Sequence, residues 1–140
     1  SKLEKLEDKL QERGIGVYDI QTEETTACAV RINDQDAIVM DKSKIRNRTH
    51  EHTVLAHEFC HIESNALYKI NDSPIVKAKC EYKAHKKKVK MLVPLKEFKD
   101  LLKRGFQKWE IAEFFEVDES VIDLAYWIYN ITGEWKDDKK

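Results

Sequence analysis

The chain changes from a strand-like to a helical pattern at Met40, and this change constrains its fold more than any other feature of the sequence. Before Met40, an amphipathic helical segment over residues 2–13 is followed by three short segments rich in β-forming residues. The predicted strands cover residues 17–20, 27–32 and 37–40, with a turn at residues 33–35. After Met40, apolar residues recur at helical spacing. We therefore expect an α+β fold, mainly helical, with a small antiparallel sheet packed on the first long helix.

Proline and turn-forming residues divide the helical part into separate segments. We expect Thr49 to cap the first long helix, which runs to about Leu67. Pro74 and Pro94 bound the next helix, because the residue before a proline is pushed away from helical geometry. The remaining helices are predicted over residues 75–92, 95–102, 109–115 and 119–131. The last two form a helix-turn-helix-like pair within residues 106–132. Its predicted apolar face consists of Ile111, Phe114, Phe115, Val117, Val121, Ile122, Leu124, Ala125 and Ile128.

The length and charge of the chain limit the classes of protein it can belong to. With 140 residues, of which 41% are hydrophobic, it can build one core, so we expect residues 1–140 to form a single domain. The 25 Lys and Arg residues nearly balance the 26 Asp and Glu residues, which gives a net charge of -1. This balance gives no reason to expect nucleic acid or a membrane as an obligatory partner.

The sequence also predicts a soluble, cytoplasmic protein with reduced thiols. Its apolar runs are far shorter than the roughly 18 residues needed for a membrane span, and the charged opening SKLEKLEDKL has no signal-peptide h-region. Cys28, Cys60 and Cys80 form no Cys-x-x-Cys pair, and their odd number argues against a disulfide framework.

A His-Glu-x-x-His motif lies within the first long helix, formed by His57, Glu58 and His61. At about 100° per residue, the two histidines are offset by about 40° and lie one turn apart, with Glu58 about 60° from His61. All three side chains therefore share one face. There, two imidazoles can bind one zinc ion, and the glutamate can take a proton from a bound water. The residues around the motif are apolar, so a metal would also satisfy histidines that are costly to bury unpaired.

A catalytic zinc site usually has a third protein ligand, and four residues near the motif can be considered. Glu63 follows His61 closely on the same helix and points away. Cys80, Glu81 and His85 lie on the next helix, which can pack against the first. We rank these three as Glu81, then His85, then Cys80, because the separation of Glu81 from His61 matches the spacing found in gluzincin zinc peptidases.

Four segments of the chain together match a known family pattern. They are residues 37–40 (Ala-Ile-Val-Met), 53–61 (Thr-Val-Leu-Ala-His-Glu-Phe-Cys-His), 81–84 (Glu-Tyr-Lys-Ala) and 91–94 (Met-Leu-Val-Pro). In these segments the chain resembles the ImmA/IrrE metallopeptidases of bacteria, prophages and mobile elements, over roughly residues 28–130. It departs from the family pattern at Cys60, His85, Lys87 and Lys88, which stand where Gly, Asn, Phe and Ala are usual. These departures affect helix packing more than the chemistry.

The resemblance implies a zinc peptidase that holds one Zn²⁺ per chain. Carried over residue by residue, it makes His57, His61 and Glu81 the zinc ligands and Glu58 the general base. Several members of the family cleave, or help to inactivate, a helix-turn-helix repressor encoded beside them, so the implied partner is a protein substrate of this kind. We expect the strand over residues 37–40 to pair with an extended segment of that substrate.

The sequence does not single out the residue that stabilises the transition state. Each candidate carries a hydrogen-bond donor that can face a developing negative charge. The candidates for contacts to substrate or transition state are His50, His52, Tyr82, His85 and Tyr126.

Positive and negative residues are separated along the second half of the chain. Residues 77–90 contain seven lysines and a single acid, which favours a solvated helix face over a contact with an acidic substrate or nucleic acid. Residues 109–135 contain seven acids and no Lys or Arg. Because phosphate contacts need cations, we expect no direct DNA binding by the helix-turn-helix-like pair. We expect it to pack within the fold, or to offer an acidic surface to a basic protein such as a repressor.

Two functions from different classes fit these observations. The first is a zinc endopeptidase of narrow specificity that cleaves a helix-turn-helix repressor of a prophage, mobile element or stress regulon. The second is a non-proteolytic antirepressor, or a toxin–antitoxin-type interaction protein, with a structural metal site. The intact Glu58 favours the enzyme, because a general base serves catalysis and not binding.

Overall fold

The computed structural model describes residues 1–137, and this part of the chain contains three strands and seven α-helices. In chain order the elements are α1 (Lys2–Glu12), β1 (Gly16–Asp19), β2 (Ala27–Ile32), β3 (Gln35–Met40), α2 (Arg48–Glu63), α3 (Pro74–Leu92), α4 (Leu95–Lys103), α5 (Lys108–Phe115), α6 (Glu119–Ile131) and α7 (Glu134–Asp137). A 3₁₀ helix (Lys42–Lys44) precedes α2. The predicted α+β class, mainly helical, is confirmed.

The sheet is mixed, with the strand order β1-β3-β2. β2 and β3 form an antiparallel hairpin as predicted, whereas β1 runs parallel to β3. The expectation of a wholly antiparallel sheet is therefore wrong. The physical reason is the connection over residues 20–26, which carries the chain to the far side of the hairpin, so that β1 and β2 lie on opposite edges of β3.

β3 is the central strand and hydrogen-bonds to a neighbour on both sides. The predicted pairing of residues 37–40 with an extended substrate is therefore wrong, because β1 and β2 already occupy both edges of this strand. A peptide can be added only where backbone groups lack a partner, which is an outer edge of the sheet.

The turn between β2 and β3 fixes which residues of β2 face its free edge. Asn33 and Asp34 adopt left-handed conformations with φ of 51° and 62°, as the two-residue turns of tight hairpins require. In the resulting register, alternate residues of β2 bond to β3, as in the 2.9 Å hydrogen bond from Asp41 N to Thr26 O. The backbone groups of Ala29 consequently point to the free edge.

α2 begins two residues earlier than predicted. Asn47 caps it, because the side-chain oxygen of Asn47 accepts a 2.8 Å hydrogen bond from the backbone N–H of His50. The prediction that Thr49 caps this helix is wrong, since Thr49 already lies in the first turn. Asparagine and threonine are both good capping residues, and the sequence pattern does not show which of them has the extended backbone that a cap needs.

α2 ends at Glu63 and does not continue to Leu67 as predicted. The chain leaves the helix at Asn65, which adopts a left-handed conformation with φ of 51°. A 2.8 Å hydrogen bond from the backbone N–H of Ala66 to the carbonyl of His61 closes the last turn. This ending folds the following residues back over the C-terminal half of α2.

α2 lies at the centre of the core, between the sheet and α3. Ala56 and Phe59 on this helix are completely buried. The buried apolar residues form one cluster that includes side chains from α1, the sheet and α2 to α6. At the other end of the cluster, the hydroxyl of Tyr129 donates a 2.8 Å hydrogen bond to the carbonyl of Val93 and so joins α6 to the end of α3.

The helix-turn-helix-like pair consists of α5 and α6. Its predicted apolar face is buried except at Phe114, which is exposed, and Leu124, which is half-buried. The turn between the helices contacts α2, because the ring N–H of buried His52 donates a 2.6 Å hydrogen bond to the carbonyl of Glu116. The pair therefore packs on the helix that carries the His-Glu-x-x-His motif.

The structure also bears on the thiols and on membrane insertion. Cys28, Cys60 and Cys80 are all free, as expected. No helix in residues 1–137 is both long enough and apolar enough to cross a bilayer.

We predict that replacing Ile128 on α6 destabilises the whole fold. Ile128 is completely buried in the common cluster, so Ile128→Ala should lower the free energy of unfolding by about 2–5 kcal/mol. Ile131→Ala on the same helix is the control and should change it by less than about 0.5 kcal/mol, because Ile131 is exposed. Urea unfolding followed by circular dichroism measures both. Two separate transitions would contradict the single common core.

Candidate metal centre

Two neighbouring helices bring His57, His61 and Glu81 to one point. α2 places the two histidines one turn apart, and α3 packs along α2 with Glu81 facing them. The Oε1 atom of Glu81 lies 2.9 Å from His57 Nε2 and 3.2 Å from His61 Nε2, and the two Nε2 atoms are 3.2 Å apart. The structure thus brings together the three residues predicted as metal ligands, and this group can hold a metal ion.

The distances within this group fit a tetrahedral metal site. Bonds of about 2.0–2.1 Å to a tetrahedral zinc place its ligand atoms about 3.3 Å apart. The observed separations of 2.9–3.2 Å are close to this value, so small side-chain adjustments suffice to admit an ion. Two imidazole nitrogens and one carboxylate oxygen are also a common ligand set of catalytic zinc, which leaves one coordination position for water.

Two of the three candidate ligands are oriented by hydrogen bonds on the side away from this point. His61 Nδ1 donates to the carbonyl of Ala66 at 2.9 Å, which leaves the lone pair of Nε2 available for a metal. Glu81 Oε2 accepts a 2.6 Å hydrogen bond from the hydroxyl of Tyr68. Both contacts come from the short segment that follows α2, so the ending of this helix contributes directly to the site.

His57 lacks such a contact and lies against a second histidine. The Nδ1 atoms of His57 and His85 are both buried without a hydrogen-bond partner, and the two ring centroids are 5.0 Å apart. Burial lowers the pKa of His57, and burial together with nearby Lys88 lowers the pKa of His85 to about 4. Both rings are therefore neutral at physiological pH, which is the form that binds metals.

The pKa shifts of Glu81 and His61 indicate that a positive charge is favoured at this point. Hydrogen bonds from His57 and then His61 hold the pKa of Glu81 well below its usual range. Burial lowers the pKa of His61, but hydrogen bonds to Glu81 and Ala66 outweigh burial and raise it. The carboxylate is thus ionised and needs a positive charge beside it, which a proton on His61 or a metal cation supplies.

Glu58 lies in the same cavity as His57, His61 and Glu81. The cavity has a volume of about 250 Å³ and is lined by Thr25, Ala27, Ala29, His57, Glu58, His61, Leu67, Tyr68 and Glu81. Burial raises the pKa of Glu58 to about 7, against the opposing effects of His61 and of a hydrogen bond with the backbone of Ala29. A carboxyl group with a pKa near neutrality can both accept and return a proton.

The other residues considered as third ligand have different surroundings. Glu63 forms a bidentate salt bridge with Arg13, with N–O distances of 2.7 and 2.9 Å. It therefore points away from the histidines, as predicted. The Sγ atom of Cys80 faces the carbonyl of Leu67 at 3.9 Å. His85 contacts His57, but it does not belong to the group of converging ligand atoms.

Four of the five residues proposed for substrate or transition-state contacts lie elsewhere. His50 accepts a hydrogen bond from the backbone N–H of Arg46, and buried His52 binds the turn between α5 and α6. The ring of Tyr82 packs edge-on against Trp127, and that of Tyr126 against Trp135. None of these four lines the cavity, and of the five only His85 touches one of the ligands.

Sequence reasoning missed Tyr68, which lines the cavity and binds Glu81. Its hydrogen bond to Glu81, and then burial, raise the pKa of Tyr68 to about 12, so the hydroxyl remains a donor. Tyr68 lies in a loop without periodicity, and no pattern in the sequence marks it. Lys88 also differs from the expectation that the lysines of α3 lie on a solvated face. It is only 7% exposed, and burial lowers its pKa.

Comparison with known proteins adds no identification. The chain matches no family model, no curated protein and no solved structure. The resemblance to ImmA/IrrE metallopeptidases therefore depends on the motif residues alone, and the functional assignment depends on the geometry of the site.

Acidic residues outnumber basic ones in α5 and α6, where Lys108 at the start of α5 is the single cation. Arg46 pairs with Asp118 at 3.1 Å, and Lys108 pairs with Asp123 at 3.4 Å. Glu119 at the start of α6 is exposed. The expectation that this pair of helices does not bind DNA directly therefore stays a prediction.

We predict that Glu81→Ala lowers zinc affinity by more than about 100-fold, because it removes a direct metal bond. Cys80→Ala is the control on the same helix and should leave the affinity unchanged within a few fold, as should His85→Ala. Competition with a chromophoric chelator measures all three constants. A larger loss in Cys80→Ala than in Glu81→Ala would assign the third ligand to the thiolate.

We also predict that the protein does not bind duplex DNA through α5 and α6 at physiological salt. Fluorescence anisotropy with labelled duplexes should show no binding up to about 10 μM protein, because the surface offers acids to the phosphates. Salt-sensitive binding that Ser120→Glu, an added acid in the first turn of α6, abolishes would contradict this prediction.

Proposed function

We propose that this chain is a zinc-dependent endopeptidase of narrow specificity, whose substrate is a helix-turn-helix repressor. The observation that carries the proposal is the convergence of His57, His61 and Glu81 on one point, with Glu58 in the same cavity. A structural zinc site is normally closed by four protein ligands. Three converging ligands beside a carboxyl group and an open cavity are typical of a hydrolytic site.

The residues of the site divide the chemical work among them. His57, His61 and Glu81 would hold zinc, which when bound supplies a Lewis acid and lowers the pKa of water. Glu58 accepts the proton of the attacking water at its carboxylate and passes it to the leaving amine. Burial of Glu58 keeps its pKa near 7, so that it can perform both transfers at neutral pH.

The free edge of β2 is the place where a substrate segment can bind. Ala27 and Ala29 of this strand line the cavity at this edge. The Ala29 backbone already hydrogen-bonds to the Glu58 carboxyl, so an added peptide would use the neighbouring backbone groups of β2. An extended peptide added to β2 would pass beside the three ligands. We therefore place the proposed substrate pairing at the edge of β2 and not at β3, which is hydrogen-bonded on both sides.

The size and depth of the site support a narrow specificity. The cavity is small, and the side chains of His57 and His61 are only 18% and 6% exposed. A folded segment does not enter such a space, whereas an exposed or locally unfolded strand does. We therefore expect a single cut in an accessible segment of the partner protein.

The acidic surface of α5 and α6 supports a basic partner. DNA-binding repressors carry clustered Lys and Arg residues, and opposite charges accelerate encounter and align the two proteins. The resemblance to the ImmA/IrrE metallopeptidases points to the same class of substrate, with control of a prophage, mobile element or stress regulon as the outcome. The same surface also suits a non-proteolytic antirepressor or toxin–antitoxin-type binder, which is the second candidate function.

We predict that Glu58→Gln abolishes cleavage and retains zinc. The amide cannot accept a proton, so the rate should fall by at least about 100-fold, while the three ligands are untouched. Glu63→Gln is the matched control on the same helix, because Glu63 pairs with Arg13 outside the cavity. The assay is coexpression with a candidate helix-turn-helix repressor, whose length is followed by mass spectrometry.

The two candidate functions give different results in this experiment. For the peptidase, wild type and Glu63→Gln shorten the repressor and Glu58→Gln does not. Derepression that persists in Glu58→Gln while the repressor stays intact would establish the antirepressor.

A further inference from the structure

The segment that follows α2 supplies the outer contacts of the metal site. Asn65 turns the chain, Ala66 exchanges hydrogen bonds with His61, and Tyr68 then reaches Glu81 on α3. The ring of Tyr68 packs edge-on against that of His61, with centroids 5.9 Å apart. One short segment therefore touches ligands from both helices.

The hydrogen bond of Tyr68 distinguishes the two oxygens of Glu81. Oε1 lies between the two imidazole nitrogens at 2.9 and 3.2 Å, where a metal would bind. Oε2 accepts the tyrosine hydroxyl at 2.6 Å and is held away from that point. Without this donor, the carboxylate is free to rotate and present both oxygens.

We propose that Tyr68 is a positioning residue that keeps Glu81 a monodentate metal ligand. The inference rests on the metal site of the proposed function. A monodentate Glu81 and two histidines supply three donor atoms, which leaves the fourth position of a four-coordinate site to water. A bidentate carboxylate adds a fourth protein donor that competes with this water, and the site becomes five-coordinate when the water stays bound. Tyr68 thereby keeps the position free that a hydrolytic site needs for water.

The hydroxyl acts through Glu81 and not by direct contact with a reacting atom. A phenol has a single O–H donor, and in this structure Glu81 uses it. Outer contacts of this kind fix the orientation of a ligand, and their loss typically lowers metal affinity by about 10–100-fold.

Tyr68→Phe tests the role, because it removes only the hydroxyl and keeps the ring against His61. Zinc affinity should fall by about 10–100-fold in a chelator competition. With Co²⁺ in place of zinc, the visible d–d absorption should weaken, since five-coordinate Co²⁺ absorbs less strongly than tetrahedral Co²⁺. Tyr18→Phe on β1 is the control, because Tyr18 is exposed and lies outside the cavity, and it should match wild type in both measurements.

The spectrum separates positioning from a general loss of structure. Far-UV circular dichroism of the metal-free variants checks the fold. A folded Tyr68→Phe variant with wild-type zinc affinity and an unchanged Co²⁺ spectrum would contradict the positioning role and leave the proposed function standing. If wild type binds neither zinc nor Co²⁺, this result contradicts both the metal site of the proposed function and the positioning role of Tyr68. A peptidase that fails to cut the repressor, yet shows the Tyr68-dependent spectrum, would leave the positioning role established and the substrate wrong.

Discussion

The contact of Glu81 with two imidazoles joins α2 to α3, and the surrounding residues have to stabilise the Glu81 carboxylate. An ionised carboxylate at a partly buried point needs a positive charge and oriented donors. His57 and His61 provide this environment from one face of α2, and Tyr68 holds the second carboxylate oxygen. The packing of α2 against α3 therefore places the Glu81 carboxylate beside the two imidazoles. A metal cation at this point would balance the carboxylate charge and link the two helices.

The sheet gives the site its shape. Because β3 is enclosed by β1 and β2, the strand edge beside His57, His61 and Glu81 in residues 1–137 is that of β2, where Ala29 meets the Glu58 carboxyl. The same arrangement buries Glu58 and brings its pKa to about 7. The proposed substrate edge and the burial of Glu58 thus both depend on one feature of topology, the crossing of the chain between β1 and β2.

Two departures from the simple amphipathic pattern of α3 lie close to the candidate metal centre. Lysine at position 88 and histidine at position 85 are polar residues on the packed face of α3, and burial lowers the pKa of each. Buried polar residues of this kind cost stability, and proteins retain them mostly at functional sites. Their electrostatic interactions with the candidate ligands show that the charge balance of this region involves more than His57, His61 and Glu81.

The local sequence determined which segments form helices and strands, and which face of α2 carries the His-Glu-x-x-His motif. Helical spacing alone places His57, Glu58 and His61 on one side of α2, because the angle per residue is fixed by backbone hydrogen bonding. The spacing to Glu81 also sufficed to rank it first among the third ligands. Tertiary structure decided the rest: the parallel pairing of β1, the edge beside the cavity and the contact of Tyr68 with Glu81. These depend on contacts between residues far apart in the chain, and periodicity carries no information about which distant groups meet.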